Sequence, residues 1–175
     1  MIKEYYDEQG KKIIIKINWE LVGSGLYGTV YQIDNNVCLK HISYPFNTNK
    51  EIIKEFMKLD LPSFYKIYKL LFNKDKGITG YIMKYYKNEE IDIMTMPIEY
   101  TLDNLASMLK DIRIISEKNI LVEDAHTDNV ILNNDRIIII DVDNYSLSQR
   151  SDILNKNIYS IYSLFQNIYV ESMLK

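Results

Sequence analysis

Three glycines spaced G-x-G-x-x-G, in Gly23-Ser24-Gly25-Leu26-Tyr27-Gly28-Thr29-Val30, lie between two stretches of strand character. Glycine at such positions lets backbone approach charged oxygens with no Cβ in the way, which suits a loop that covers nucleotide phosphates. The element next in the chain decides the kind of fold that can carry them. A dinucleotide-binding βαβ unit needs a helix there, so that phosphate sits on its N-terminus. Here Thr29-Val30-Tyr31-Gln32-Ile33 is β-branched and aromatic, so the glycines lead into a strand and the loop becomes the lid of a hairpin. Val37 to Lys40 is the neighbouring strand, reached through the compact connection Asp34-Asn35-Asn36.

The rest of the chain keeps this order of hairpins and helices. Ile13 to Ile17 comes after a Gln9-Gly10 turn and reads as a strand. Asn47 to Leu59 reads as a helix with Asn47 or Thr48 as N-cap, Ile52, Ile53, Phe56 and Leu59 on one side, and Leu61-Pro62 beyond its end. Phe64 to Phe72 and Ile78 to Tyr86 form an extended pair around residues 73–77. Leu102 to Glu117 has helical spacing through Leu105, Leu109, Ile112 and Ile115/Ser116. Short strands come next at Ile120 to Val122, Val130 to Leu132 and Ile137 to Ile140, and Ile153 to Leu174 is a last helix.

A length of 175 residues suits one domain. With 24 acidic and 21 basic residues the net charge is −3, which argues against a binder that works by general phosphate neutralisation, so neither nucleic acid nor a charged membrane is an expected partner. One cysteine, Cys38, forms no internal disulfide, and with two histidines it makes no zinc set; any metal is held by oxygen. The opening MIKEYYDEQGKK lacks the order of a signal peptide and no apolar run approaches membrane-spanning length, so a cytoplasmic location is expected.

Further chemical groups lie in order along the chain. Val37-Cys38-Leu39-Lys40 reads as V-A-I-K, which brings Lys40 into register to bridge the α- and β-phosphates of a nucleotide. Such a lysine needs a carboxylate to hold its ammonium; the next helix offers Glu51 and Glu55 at i, i+4, with Glu51 nearer the required register. Asp124-Ala125-His126-Thr127-Asp128-Asn129 then supplies D-x-x-x-x-N between apolar strands, the aspartate to orient an acceptor hydroxyl and the asparagine to ligate magnesium. Ile137 to Ile140 delivers Asp141 to a strand end, where a second metal ligand is required.

Over roughly residues 13 to 145 these motifs resemble the protein-kinase-like superfamily, in the form of a minimal bacterial-type Ser/Thr protein kinase-like protein with a truncated C-terminal lobe. The resemblance implies an α+β, bilobal protein-kinase-like fold in a single domain. Its N-lobe, about 1–84, is a small antiparallel sheet with one αC-type helix; about 85–88 is the hinge; about 89–175 is a reduced helical C-lobe. It implies ATP and Mg2+ as cofactors. Gly23, Ser24, Gly25, Gly28, Val30, Cys38, Lys40, Met83, Tyr85 and Tyr86 would contact the nucleotide, Asp124, Lys40 and Glu51 would be catalytic, and Asn129 and Asp141 would hold the metal. The expected activity is transfer of the γ-phosphate to a hydroxyl, with protein Ser/Thr as acceptor.

Departures from the pattern keep two alternatives open. Val122-Glu123 stands for His-Arg ahead of the aspartate, Asp141-Val142-Asp143 stands for D-F-G, and only 34 residues of the chain come after Asp141. Asp143 reads as a turn cap. A catalytically weak, pseudokinase-like ATP-binding adaptor is one alternative. His126, where protein kinases carry lysine, is closer to aminoglycoside, choline and lipopolysaccharide kinases, which makes a small-molecule kinase the other. Finally, Ile153, Ile158, Ile161, Leu164, Phe165, Ile168 and Tyr169, interspersed with Tyr159 and Tyr162, give the last helix a wide apolar face, part of which could serve a homodimer.

Overall fold

The structure is a computed structural model that describes residues 2–16, 20–25, 28–43, 49–87 and 96–174. It is α+β, with an antiparallel sheet and three helices among the described residues, and its backbone divides into two compact units.

The first unit comprises Met1–Lys58 and Lys66–Tyr86. Its strands are β1 (Ile2–Tyr6), β2 (Lys12–Lys16), β3 (Leu21–Gly25), β4 (Gly28–Gln32), β5 (Val37–Ile42), β6 (Ile67–Phe72) and β7 (Ile78–Lys84), with α1 (Lys50–Lys58) between β5 and β6. They form one seven-stranded antiparallel sheet in the order β2-β1-β6-β7-β5-β4-β3. The β1–β2 pairing, which the apolar pattern of Ile13 to Ile17 alone does not reveal, runs over five residue pairs, whereas β1 meets β6 only at Tyr6 and Phe72. The sheet therefore curls, and Tyr5 and Ile15 close over Leu39 and Leu71 in one buried cluster flanked by Ile13, Tyr31, Ile33 and Ile82.

Local chemistry fixes the connections. Asp34 Oδ1 accepts the Asn36 N–H at 2.8 Å and Asn73 Oδ1 accepts those of Asp75 and Gly77, so each hairpin turn is held by an Asn or Asp side chain. Helix α1 is capped by Asn49, whose Oδ1 accepts the N–H groups of Glu51 at 3.0 Å and Ile52 at 3.4 Å. The expected caps Asn47 and Thr48 lie outside the described residues. Glu8 in the β1–β2 turn binds Lys50 at 2.9 Å and Lys54 at 2.6 Å, tying that turn to the helix, while Ile52, Ile53 and Phe56 are buried.

The second unit comprises Leu59–Tyr65 and Lys87–Lys175. Helix α2 (Ile98–Glu117) begins one turn earlier than its apolar pattern predicts, directly after Pro97. The short strand β8 (Ile120–Leu121) pairs with β11 (Ser146–Leu147), β9 (Val130–Asn133) forms a hairpin with β10 (Arg136–Ile139), and α3 (Ile153–Met173) packs on α2. Residues 59–65, read from sequence as part of the first lobe, belong here. Ser63 donates its backbone N–H to Asp111 Oδ2 at 2.8 Å, its carbonyl accepts from Ile139, and Tyr65 N–H donates to the Ile139 carbonyl.

The face that α2 buries is shifted from the expected one. Asn104, Met108, Asp111, Ile112, Ile115 and Ser116 are buried, while Leu105 and Leu109 are only partly covered. The polar members are there because they satisfy backbone: Asn104 Oδ1 accepts the Ile137 N–H at 2.8 Å, and its Nδ2 donates to the carbonyls of Tyr100 and Asp135. Among the described residues no helix is long and apolar enough to cross a membrane.

Candidate functional site

In the first unit the candidate residues are gathered by strand register. Gly23 lies opposite Val30, Val30 opposite Lys40, and Lys40 opposite Tyr81, while the next row runs Gln32, Cys38, Met83. Residues opposite one another, and those two apart on a strand, share a face, so Val30, Cys38, Lys40 and Met83 all lie on the face away from the Leu39 cluster. Lys40 is only 6% exposed and its Nζ lies 5.8 Å from the centroid of the fully buried Tyr81 ring. Lysine is seldom buried without a charged task.

The three glycines behave differently. A Cβ at Gly28 would collide with the His41 carbonyl oxygen, so the β4–β5 pairing itself requires glycine there. At Gly23 and Gly25 a Cβ would meet no described atom within 4 Å, and neither residue has a positive φ. Packing among the described residues does not demand glycine at those two places. Ser24 is exposed and pairs with Thr29, and Leu26 and Tyr27 lie outside the described residues.

On α1, Glu51 is exposed, and the Lys54 pKa is raised first by its bond to Glu8 and least by the charge of Glu51, whereas Glu55 is half-buried and bonded to Lys58. Cys38 is buried, its Sγ directed at the Met83 and Lys84 carbonyls at 3.8 and 3.6 Å, and burial pushes its thiol up to about 12. That removes it as a nucleophile near neutrality. The Tyr85 N–H donates to the Asn36 carbonyl at 2.8 Å, so this amide is engaged within the sheet. Tyr86 is half-buried beneath Lys84 Nζ, 4.9 Å from its ring centroid, and desolvation raises its phenol.

The second unit brings Asp124, His126 and Asn129 together, and adds a residue that spacing did not indicate. After β8, Asp124 takes a left-handed conformation at φ 63, which turns the chain sharply before the short 3-10 turn Thr127–Asn129. His126 Nε2 lies 3.0 Å from Asp124 Oδ1. Asn129 Nδ2 donates back to the Asp124 carbonyl at 2.9 Å and to its Oδ2 at 3.3 Å, and lies 3.1 Å from His126 Nε2. Asn144 Nδ2 completes the set with a 2.8 Å bond to Asp124 Oδ2. The carboxylate is thus oriented by three side chains yet remains 41% exposed.

Asp141 follows Ile140, whose N–H donates to the Asn129 carbonyl at 2.9 Å. Its Oδ1 accepts the Asp143 N–H at 3.0 Å, so Asp141 caps this turn, while Asp143, expected in the capping role, is buried. The buried Tyr145 reports both acids: its phenol is held well above its ordinary pKa by desolvation first, then by the negative charges of Asp141 and Asp124. Another residue positions the loop from behind. Fully buried Asn157 accepts the Val122 N–H at 2.8 Å and donates to the Ile120 carbonyl and to Ser116 Oγ, both at 2.9 Å. A polar residue on the apolar stripe of α3 is the one sequence signal that could have found it; Asn144 left none.

Asn129 and Asp141 present oxygen donors of the hard kind that suits magnesium. Among the described residues no three His, Cys, Asp or Glu side chains gather as a metal cage. Magnesium in phosphoryl transfer takes one or two protein ligands and completes its shell with phosphate and water, so the donor pair fits that use. Beside the loop lies a groove of about 560 Å3, lined by Glu123, Asp124, Asn155, Lys156 and Tyr159 among others. No protein-family model matches the chain, and no curated protein matches it.

Proposed function

We propose that the chain is an ATP- and Mg2+-dependent phosphotransferase of the protein-kinase type, moving the γ-phosphate to a hydroxyl, with protein Ser/Thr as the acceptor. The observation that carries this reading is the Asp124 carboxylate, exposed to solvent yet held by His126, Asn129 and Asn144. A carboxylate fixed in this way can orient an incoming hydroxyl and accept its proton. The groove beside it has room for the acceptor. Buried Lys40 supplies a cation for the α- and β-phosphates, Gly23 and Gly25 leave open backbone to cover them, and Met83 with Cys38 offers an apolar floor for adenine. With the Tyr85 N–H given to Asn36 and the Lys84 N–H to Lys66, the backbone of Tyr86 is the group of this stretch that would read the adenine edge. Asn129 and Asp141 would hold magnesium, which when bound offsets the negative charge of the phosphates.

His126 favours a second reading, a small-molecule kinase of the aminoglycoside, choline or lipopolysaccharide type, since its bond to Asp124 occupies the place of the protein-kinase lysine. The deciding experiment is ADP release by the purified chain with ATP and Mg2+, offered protein or small hydroxyl acceptors. Asp141→Asn should lose at least about a hundred-fold in turnover with its circular dichroism unchanged. A variant as active as the parent would falsify the metal assignment, and ATP binding without any turnover would leave an adaptor.

A further inference from the structure

Helix α3 carries a second seam, distinct from the one that packs on α2. Its buried face is Ile153, Asn157, Ile161, Leu164, Phe165, Ile168 and Ser172. On the opposite side Asn155, Tyr159, Tyr162, Gln166, Tyr169 and Met173 succeed one another at steps of four, three, four, three and four residues, the spacing of a coiled-coil seam. All six are exposed, Tyr159 by 74%, Tyr162 by 51%, Tyr169 by 48% and Met173 by 53%. A solvent-facing helical stripe is ordinarily charged. This one has no charge over five turns; the helix's charged residues, Lys156 and Glu171, both stand off it on one flank.

We infer that this stripe is the contact surface for a second copy of the same chain, paired antiparallel about a two-fold axis at Gln166. Three features select that occupant. Gln166 lies seven residues from Tyr159 and seven from Met173, so reversal of the helix lays aromatic and thioether groups on each other and sets Gln166 against its own counterpart. Two facing amides satisfy each other; Asn155 lies beyond the overlap, so between Tyr159 and Met173 Gln166 is the stripe's one amide, and a polar residue so placed fixes register. Absence of charge means that self-pairing brings no like-charge repulsion, and antiparallel macrodipoles attract. The size is also sufficient: an overlap about 24 Å long with three exposed tyrosines and a methionine removes about 500 Å2 per copy, or about 1,000 Å2 for the pair, the threshold of a specific interface. The inference does not rest on the phosphotransferase reading, although Asn155 and Tyr159 also line the groove beside Asp124, so pairing would narrow that groove.

Sedimentation equilibrium of the full chain over about a hundred-fold concentration range tests it. The parent should fit a monomer–dimer equilibrium, and Tyr162→Glu and Tyr169→Glu should each weaken association at least ten-fold with unchanged circular dichroism and thermal midpoint, since both side chains face solvent in the single chain. Mild oxidation should cross-link Gln166→Cys to itself, while the parent, whose Cys38 is buried, and Glu117→Cys on α2 should not cross-link. A parent that stays monomeric throughout, a dimer indifferent to both glutamates, or a Gln166→Cys chain that does not cross-link overturns the proposal.

Discussion

Asn144 shows how much a single side chain can do outside any motif. Its 2.8 Å bond is the shorter of the two on the oxygen of Asp124 that His126 does not touch, so removal should leave that oxygen with only the 3.3 Å bond from Asn129 and loosen the carboxylate. Asn144→Ala is expected to lower kcat by about ten- to a hundred-fold with little change in the KM for ATP, because orientation of the base is felt in the transition state rather than in nucleotide binding. A raised KM with kcat unchanged would instead assign Asn144 to binding. Cys38 is the opposite case, a reactive group made inert. With the thiol pushed up to about 12 by burial, about one part in 10,000 is thiolate at pH 8. Iodoacetamide should therefore leave the folded chain unmodified at pH 8 and react promptly once guanidinium exposes the thiol; mass spectrometry reads the difference. Neither residue's behaviour can be read from its neighbours in sequence: the Asn144 bond spans 20 positions, and Cys38 is buried by strands that meet only in the sheet.

At the scale of elements, α2 is held in place by polar groups on what should be an apolar face. Asp111 accepts the Ser63 N–H, and burial raises its pKa more than that bond lowers it. Since the folded chain then binds this proton more readily than the unfolded chain, Asp111 lowers stability as pH rises from the ordinary carboxylate range through its raised native value. Asp111→Asn keeps an acceptor without a buried charge, so its melting temperature relative to the parent should increase between about pH 4 and pH 7. Asp111→Ala orphans the Ser63 amide and should cost about 1–3 kcal/mol. A wild-type advantage over Asn that grows with pH would show that the carboxylate gains more from its bonds than it loses by desolvation. Helix α3 behaves alike. Sequence put Tyr169 with the apolar stripe, but Asn157 and Ser172 take the buried positions, Asn157 because backbone groups and Ser116 need partners, and the tyrosines turn outward.

For the molecule as a whole, the proposed activity has a consequence that needs no acceptor. ATP with Mg2+ at about a hundred times its dissociation constant should stabilise the chain by about 2.7 kcal/mol, a rise of about 5–10 °C in melting temperature, and EDTA should remove most of it. No shift at any concentration would remove the nucleotide from the account. Most of the elements, though neither β1 nor β11, were readable from residues alone, down to the strand after Gly28 and the turns at Asp34 and Asn73, because repeat period, β-branching and turn chemistry act within a few positions. So was the grouping of Asp124 with Asn129, which one tight turn achieves. The β1–β2 pairing, the seating of residues 59–65 with α2, the buried Asn104, Asp111 and Asn157, and the outward Tyr169 were decided by tertiary structure. Each depends on an element far along the chain supplying the hydrogen-bond partner or the cover, and a side chain's own periodicity carries no record of what will be packed against it.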